Sequence, residues 1–282
     1  MNEANEEVRL EKLLNGVDIP PCPAILMDIQ QELEKDAADQ REIARLISQD
    51  VALAGHVMQV ANSPAFGNNK IGSIVQALNI LGTRQVFNLV VSQLLKVSLS
   101  GGASMPMERF WETSSLTARL SAELARRLRG VRPDVAYTFG LFHDCGIPLL
   151  MKRFPEVRAV LAEANACEER CFTDVEDRRL GTNHAVVGYF LARRWRLPAE
   201  VADAVLYHHD YTAFDAPKLL SSSSRMLIAV TVLAEHIIRL QAGDSVYQEW
   251  NKAAPYACQL FGLSLGAVDD LIEDMRDWLE RS

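Results

Sequence analysis

His143 and Asp144 stand side by side, and they are the first pair in this chain with plain chemical potential. His184, the pair His208-His209 and the pair Glu235-His236 follow downstream. Imidazoles and carboxylates drawn from separate segments form a donor set that suits iron, manganese or another divalent ion. Metal held in this way can activate water against a phosphoester. Each residue also has a structural reading. A histidine beside an aspartate at a helix end can satisfy it by hydrogen bonding, and His184 can cap or bond rather than ligate. His208 shares a stripe with Val201 and Val205, so it points inward and needs a partner. His56 and His236 read as structural histidines. Spacing does not decide between these readings, because the fold must first bring the residues together.

The elements available for that task are helices. No run of alternating β-branched residues demands a strand, so the fold class is all-α. Three prolines, Pro20, Pro21 and Pro23, delay a first helix over Ala24 to Glu34. Arg41 to Gln49 and Val51 to Ala61 follow, the latter with Asp50 as N-cap and Asn62-Ser63-Pro64 as its stop. Ser73 and Gln76 have capping-box spacing. Gly82 closes that helix, and Thr83 is placed to cap the next, which runs to about Leu99. Beyond Gly101-Gly102 come Glu108 to Arg129 and a helix with Pro133 at its first position, ending at His143-Asp144 ahead of Gly146 and Pro148. Helices are expected over Glu156 to Glu169, from Thr182 or Asn183 through His184 to Trp195, and over Pro198 to His209. Asp210 to Ser224 reads as loop and Arg225 to Leu240 as helix. The last helix, Leu265 to Leu279, is amphipathic through Val268, Leu271, Ile272, Met275, Trp278 and Leu279. It either packs back on its own domain or offers Trp278 and Leu279 to a partner. An acidic lead-in (1–15) and two helical subdomains (16–104 and 105–282), packed through a shared apolar interface, are the expected organisation.

Bulk properties narrow the function. The net charge is −8, against the basic surplus of most nucleic-acid binders. The basic clusters Arg126-Arg127-Leu128-Arg129 and Arg193-Arg194-Trp195-Arg196 fall late in expected helices, where cations favour the negative helix end. No nucleic-acid partner is therefore expected. No stretch reaches the roughly 20 apolar residues of a membrane helix. The polar, acidic start lacks a secretory pattern, which points to the cytoplasm. Five scattered cysteines suggest reduced thiols rather than disulfides. Cys167 and Cys171 have no second pair with which to bind zinc.

Gly140-Leu141-Phe142-His143-Asp144-Cys145-Gly146 resembles the signature of the HD superfamily of metal-dependent phosphohydrolases. His184-Ala185-Val186-Val187-Gly188, Trp195-Arg196-Leu197-Pro198 and Tyr207-His208-His209 resemble the part shared by HD-GYP and HDOD domains. In the first half, four features are similar to the HDOD pattern: the Pro20 to Leu26 opening, Leu46 to Leu53, Val60 to Gly67, and Ser73 to Leu78 with Leu81-Gly82. The chain is identified as a member of the HDOD family over about Ile19 to Asp210.

That resemblance implies an HD-like helical bundle in the second half and a regulatory role in bacterial signalling, acting alone or with other signalling proteins. It also implies a residual metal site of His143, Asp144, His184, His208 and His209, with Glu235 in place of a final aspartate. Any cofactor would be a divalent metal, iron or manganese. Two departures argue against catalysis. In Trp111-Glu112-Thr113-Ser114, Thr113 stands where the enzymes carry a ligand histidine. The residues after His209 also lack the Gly-Tyr-Pro motif of cyclic di-GMP phosphodiesterases. Non-catalytic signalling through protein–protein contacts is the leading expectation. The alternatives are a residual phosphohydrolase acting on a nucleotide or phosphoester, and a sensor of a small ligand such as a nucleotide that uses the old pocket.

Overall fold

A computed structural model describes residues 12–63, 70–101, 107–244 and 247–281. Among these residues there are helices and no strand, so the chain is all-α. It divides into two compact units. One is Pro20–Gly101; the other joins Gly102–Ser282 with the residues up to Ile19.

The Pro20–Gly101 unit contains α1 (Ala24–Leu33), α2 (Gln40–Ser48), α3 (Val51–Ala61), α4 (Ile74–Leu81) and α5 (Thr83–Ser100). Short polar side chains start most of these helices by accepting from otherwise unpaired backbone N–H groups. Asp50 accepts from Leu53 N at 3.0 Å, and Ser73 accepts from Gln76 N at 3.3 Å. The Gln76 side chain reaches back to Gly72 N rather than to Ser73. Asn62 ends α3 and braces the following turn, bonding Met58 O, Ile71 O and Ile71 N. Pro64 to Gly67, part of the HDOD-like stretch, lies outside the described residues, as does Gly102. Thr83 is not the cap of α5. Gly82 holds that position at φ 85°, and the Thr83 hydroxyl accepts from Gln40 instead.

The larger unit holds α6 (Glu108–Arg127), α7 (Pro133–Phe142), α8 (Gly146–Arg153), α9 (Val157–Ala166), α10 (Phe172–Leu180), α11 (His184–Arg194) and α12 (Ala199–Tyr207). A 3-10 turn over Tyr211–Asp215 leads to α13 (Ser222–Gln241), α14 (Gln248–Phe261) and α15 (Leu265–Arg281). The chain ahead of Pro20 is tied here: Asn15 donates to Leu180 O and Arg194 to Ile19 O, both at 2.8 Å. Four of these helices depart from expectation. Gly146 and Pro148 lie beyond α7, as expected, but they open a further helix, α8, where a missing N–H costs nothing. Helices α10 and α14 were not expected at all. The serines at 221–224 are not loop: Ser221 caps α13 by accepting from Ser224 N at 3.0 Å.

The basic clusters sit at helix ends. Arg126 and Arg127 both pair with Glu123, while Arg193 and Arg194 occupy the last turn of α11. In α15, Val268 and Met275 are buried in a core with Leu120, Leu124, Leu233 and Ile237. Trp278 and Leu279 pack against the same core, and Arg119 lies over the Trp278 ring. These two residues therefore pack back on their own domain, the first of the two alternatives for this helix. No single helix among the described residues is long and apolar enough to cross a membrane.

Candidate metal centre

His143 and His208 each sit at the C-cap of a helix, α7 and α12. Each solves the same local problem. Its Nδ1–H donates to the carbonyl three residues back, Gly140 O at 2.8 Å and Val205 O at 2.7 Å. Those carbonyls lack intrahelical partners at a helix end. The bond fixes the ring and leaves Nε2 facing away from the helix. His184 is the first residue of α11, capped by Asn183, whose side chain accepts from Val186 N. Its Nδ1 is bound at 2.6 Å to Glu176 of α10, a carboxylate with no solvent exposure.

The three freed nitrogens meet at Asp144. His143 Nε2 lies 3.3 Å from Asp144 Oδ2, and His184 Nε2 lies 3.3 Å from Asp144 Oδ1. His208 Nε2 is 3.6 Å from the same Oδ1 and 3.1 Å from His184 Nε2. Glu235 of α13 comes within 3.3 Å of His143 Nε2, and its other oxygen accepts from Tyr247 at 2.8 Å. A ring nitrogen of His209 lies within 4.8 Å of donor atoms of Asp144, His184 and His208. All six residues expected from sequence thus converge. Thr113 takes no part: it is exposed on α6 and joins no hydrogen bond of the cluster. His236 stands apart, stacked on Trp250 at 4.8 Å.

Glycines allow this closeness. A Cβ on Gly146 would fall 2.0 Å from His184 O, and one on Gly188 would fall 2.8 Å from Val205. At Gly140 it would meet the α6 backbone at Ala118, 2.9 Å away. Gly146 lets α8 meet the α11 backbone directly, and Gly188 leaves room on α11 for the Val205 side chain of α12.

The electrostatics are those of a cation site. Burial opposes charge on His143, yet Asp144 and Glu235 outweigh it and raise its pKa well above 6.5. Burial also opposes charge on His184, but Glu176 and Asp144 lift it to about 10. His208 is pushed down to about 3, first by burial and then by His209 and His184. Burial works against the Asp144 carboxylate too, but the surrounding histidines hold its pKa well below the usual range. The carboxylates thus favour the charged imidazole at His143 and His184, while burial and its neighbours favour the neutral one at His208. Metal uptake at such a site releases ligand protons. The donor set and its tied outer nitrogens fit a divalent ion, with His143, Asp144, His184, His208, His209 and Glu235 as the residues that would hold it. Beside it lies a cavity of about 10 Å³ lined by His143, His208, His209, Tyr211, Thr231 and Glu235, among others.

Sequence reasoning missed Glu176, Tyr247 and Glu249. Glu249 of α14 is buried and accepts from His209 Nδ1 at 2.6 Å, Tyr211 at 3.0 Å and Lys252 at 3.0 Å. Burial raises its pKa, but His209 and Lys252 outweigh that and hold it at about 2, below the ordinary 4.5. A lowered folded-state pKa stabilises above the ordinary value and is lost as pH falls through the folded value. Unfolding by urea should therefore show about 3 kcal/mol lost between roughly pH 5 and pH 2 from this group. Glu249→Gln should flatten that part of the curve.

Comparison with known proteins agrees with this geometry. The HDOD domain model matches residues 19–211. This chain belongs to the HDOD family. An uncharacterised protein of Treponema pallidum (strain Nichols) is 30% identical over 236 residues, which cover 82% of the HDOD chain and 44% of that protein. The chain thus spans less than half the length of the curated relative it matches. An HDOD domain protein of unknown function from Geobacter sulfurreducens has a similar fold, with TM-score 0.67, 24% identity, and 96% and 99% of the two chains covered. So does a candidate phosphohydrolase of Shewanella amazonensis SB2B, with TM-score 0.69, 22% identity and 93% of each chain covered. A candidate signal transduction protein of Marinobacter aquaeolei VT8 gives TM-score 0.75 at 19% identity, covering 98% of this chain and 64% of that one.

Proposed function

We propose that this HDOD chain is a metal-holding signal-transduction module of the bacterial cytoplasm, acting through contacts with other signalling proteins rather than by turnover. The observation that carries this reading is the meeting of three Nε2 atoms at Asp144 beside a cavity of about 10 Å³. That volume matches about one water. Metal in this setting organises four helices, α7, α11, α12 and α13, whose termini and side chains supply the donors, and so couples the site to the surface of the bundle.

One observation favours a second reading. The Asp144 side chain is 26% exposed, so the site is not sealed on that side. A bound divalent ion would supply Lewis acidity and an activated water there. In that case His143, Asp144, His184 and His208 would hold the ion, a phosphoester would reach it from the open side, and the chain would be a phosphohydrolase. The two readings separate in one assay. Protein loaded anaerobically with iron or manganese is offered a panel of nucleotides and phosphoesters. The signalling reading expects no hydrolysis above the metal-free blank. Hydrolysis that disappears in Asp144→Asn would put the phosphohydrolase first.

A further inference from the structure

The family match ends at residue 211, yet Glu235 of the centre comes from beyond it, as do Tyr247 and Glu249, which tie Glu235 and His209. His143 and His208 find their Nδ1 acceptors on their own helices, and His184 finds one eight residues upstream. His209 has no such local acceptor. Its Nδ1–H goes to Glu249, 40 residues on, at the start of α14. Glu235 is likewise held by Tyr247, which precedes the same helix. Helix α14 is anchored independently of the site: Lys252 donates to Cys167 O at 3.1 Å and to Arg170 O at 2.8 Å. Arg239 lies over the Tyr247 ring at 4.3 Å.

From this we infer that α14 is a positioning element of the metal centre, with Glu249 fixing the His209 ring so that Nε2 serves as a donor and Tyr247 aiming Glu235. The inference rests on the metal-holding reading above. An imidazole with Nδ1–H on a carboxylate has one tautomer, its Nε2 lone pair is more basic, and its ring cannot turn. Without Glu249 the ring loses that partner and the proton can move to either nitrogen. Glu249 and Tyr247 act through other residues and touch no ion themselves.

The test uses Co(II) as probe on the full chain, read by chelator competition and by the visible absorption of the bound ion. Wild type, Glu249→Gln, His209→Ala, the double variant and Tyr247→Phe are compared. Loss of an outer-shell partner weakens metal binding about 10- to 100-fold, and Glu249→Gln is expected in that range with shifted Co(II) bands. The double variant should bind no more weakly than His209→Ala, since Glu249 acts through that ring. A merely structural Glu249 would lower the Tm and leave the bands of the folded protein unchanged, and that result overturns the inference. If Glu249→Gln does not fold, Tyr247→Phe decides: it removes one hydroxyl, and shifted bands support the inference while unchanged bands overturn it. A wild type that takes up no Co(II) overturns the metal-holding reading itself, and this inference with it. Wild-type binding with unchanged variants overturns the inference alone.

Discussion

Asp144→Asn is expected to weaken divalent-metal binding by more than the roughly 100-fold that an outer-shell loss produces. The reason is geometric. Asp144 is the residue on which the three Nε2 atoms converge, at 3.3, 3.3 and 3.6 Å. Asparagine keeps the shape but removes the charge, and its amide nitrogen presents donors to nitrogens that must also face a cation. The metal-free protein should suffer as well. His143 is buried and owes its proton first to Asp144 and then to Glu235, so the variant keeps that imidazole charged less readily. Isothermal titration with Mn(II) against wild type measures the first effect. A binding constant within threefold of wild type would remove Asp144 from the centre.

Gly146→Ala should be the most damaging single methyl in the bundle. The added Cβ would lie 2.0 Å from His184 O and 2.8 Å from its carbonyl carbon, and both are backbone atoms that cannot rotate away. Helix α8 must separate from α11, which lifts His184 out of register with Asp144 and Glu176. Overpacking of side chains costs about 1–3 kcal/mol, and a backbone collision of this depth should exceed that, at about 4 kcal/mol or more. The Tm should fall on the order of 10 °C for a unit of this size. Gly266→Ala is the control, since a Cβ there meets nothing within 4 Å, and it should be near neutral. Equal Tm values for the two variants would show that α8 and α11 do not meet as described.

These two residues also show how far the sequence could be read. Asp144 was legible because histidine and aspartate are chemically conspicuous and their neighbours resemble a known signature. Gly146 was visible only as a helix breaker. Its close approach to His184 is a fact about two helices, and no local pattern encodes it. The outer carboxylates were missed together with the helices that carry them. Helix α10 is short and mostly charged, with Phe172, Val175 and Leu180 as its apolar stripe. Helix α14 begins with polar residues and contains Pro255. The signal was nonetheless present. Glu176 falls on the stripe of Phe172 and Leu180, and Glu249 is in line with Ala253 and Ala257, where all are buried. A carboxylate on an apolar face needs a partner, and here each partner is a histidine of the site. The amphipathic α15 was clear from periodicity alone, but periodicity could not say what covers its apolar face. Helices α6 and α13 do, which is why Trp278 and Leu279 are part of the bundle.

The most direct test of the central claim is the elemental metal content of protein purified without chelator or His-tag, beside His143→Ala prepared in the same way. On the order of one iron or manganese per chain is expected in the wild type, lost in the variant. A wild type that carries no metal and takes up none on anaerobic loading would contradict it.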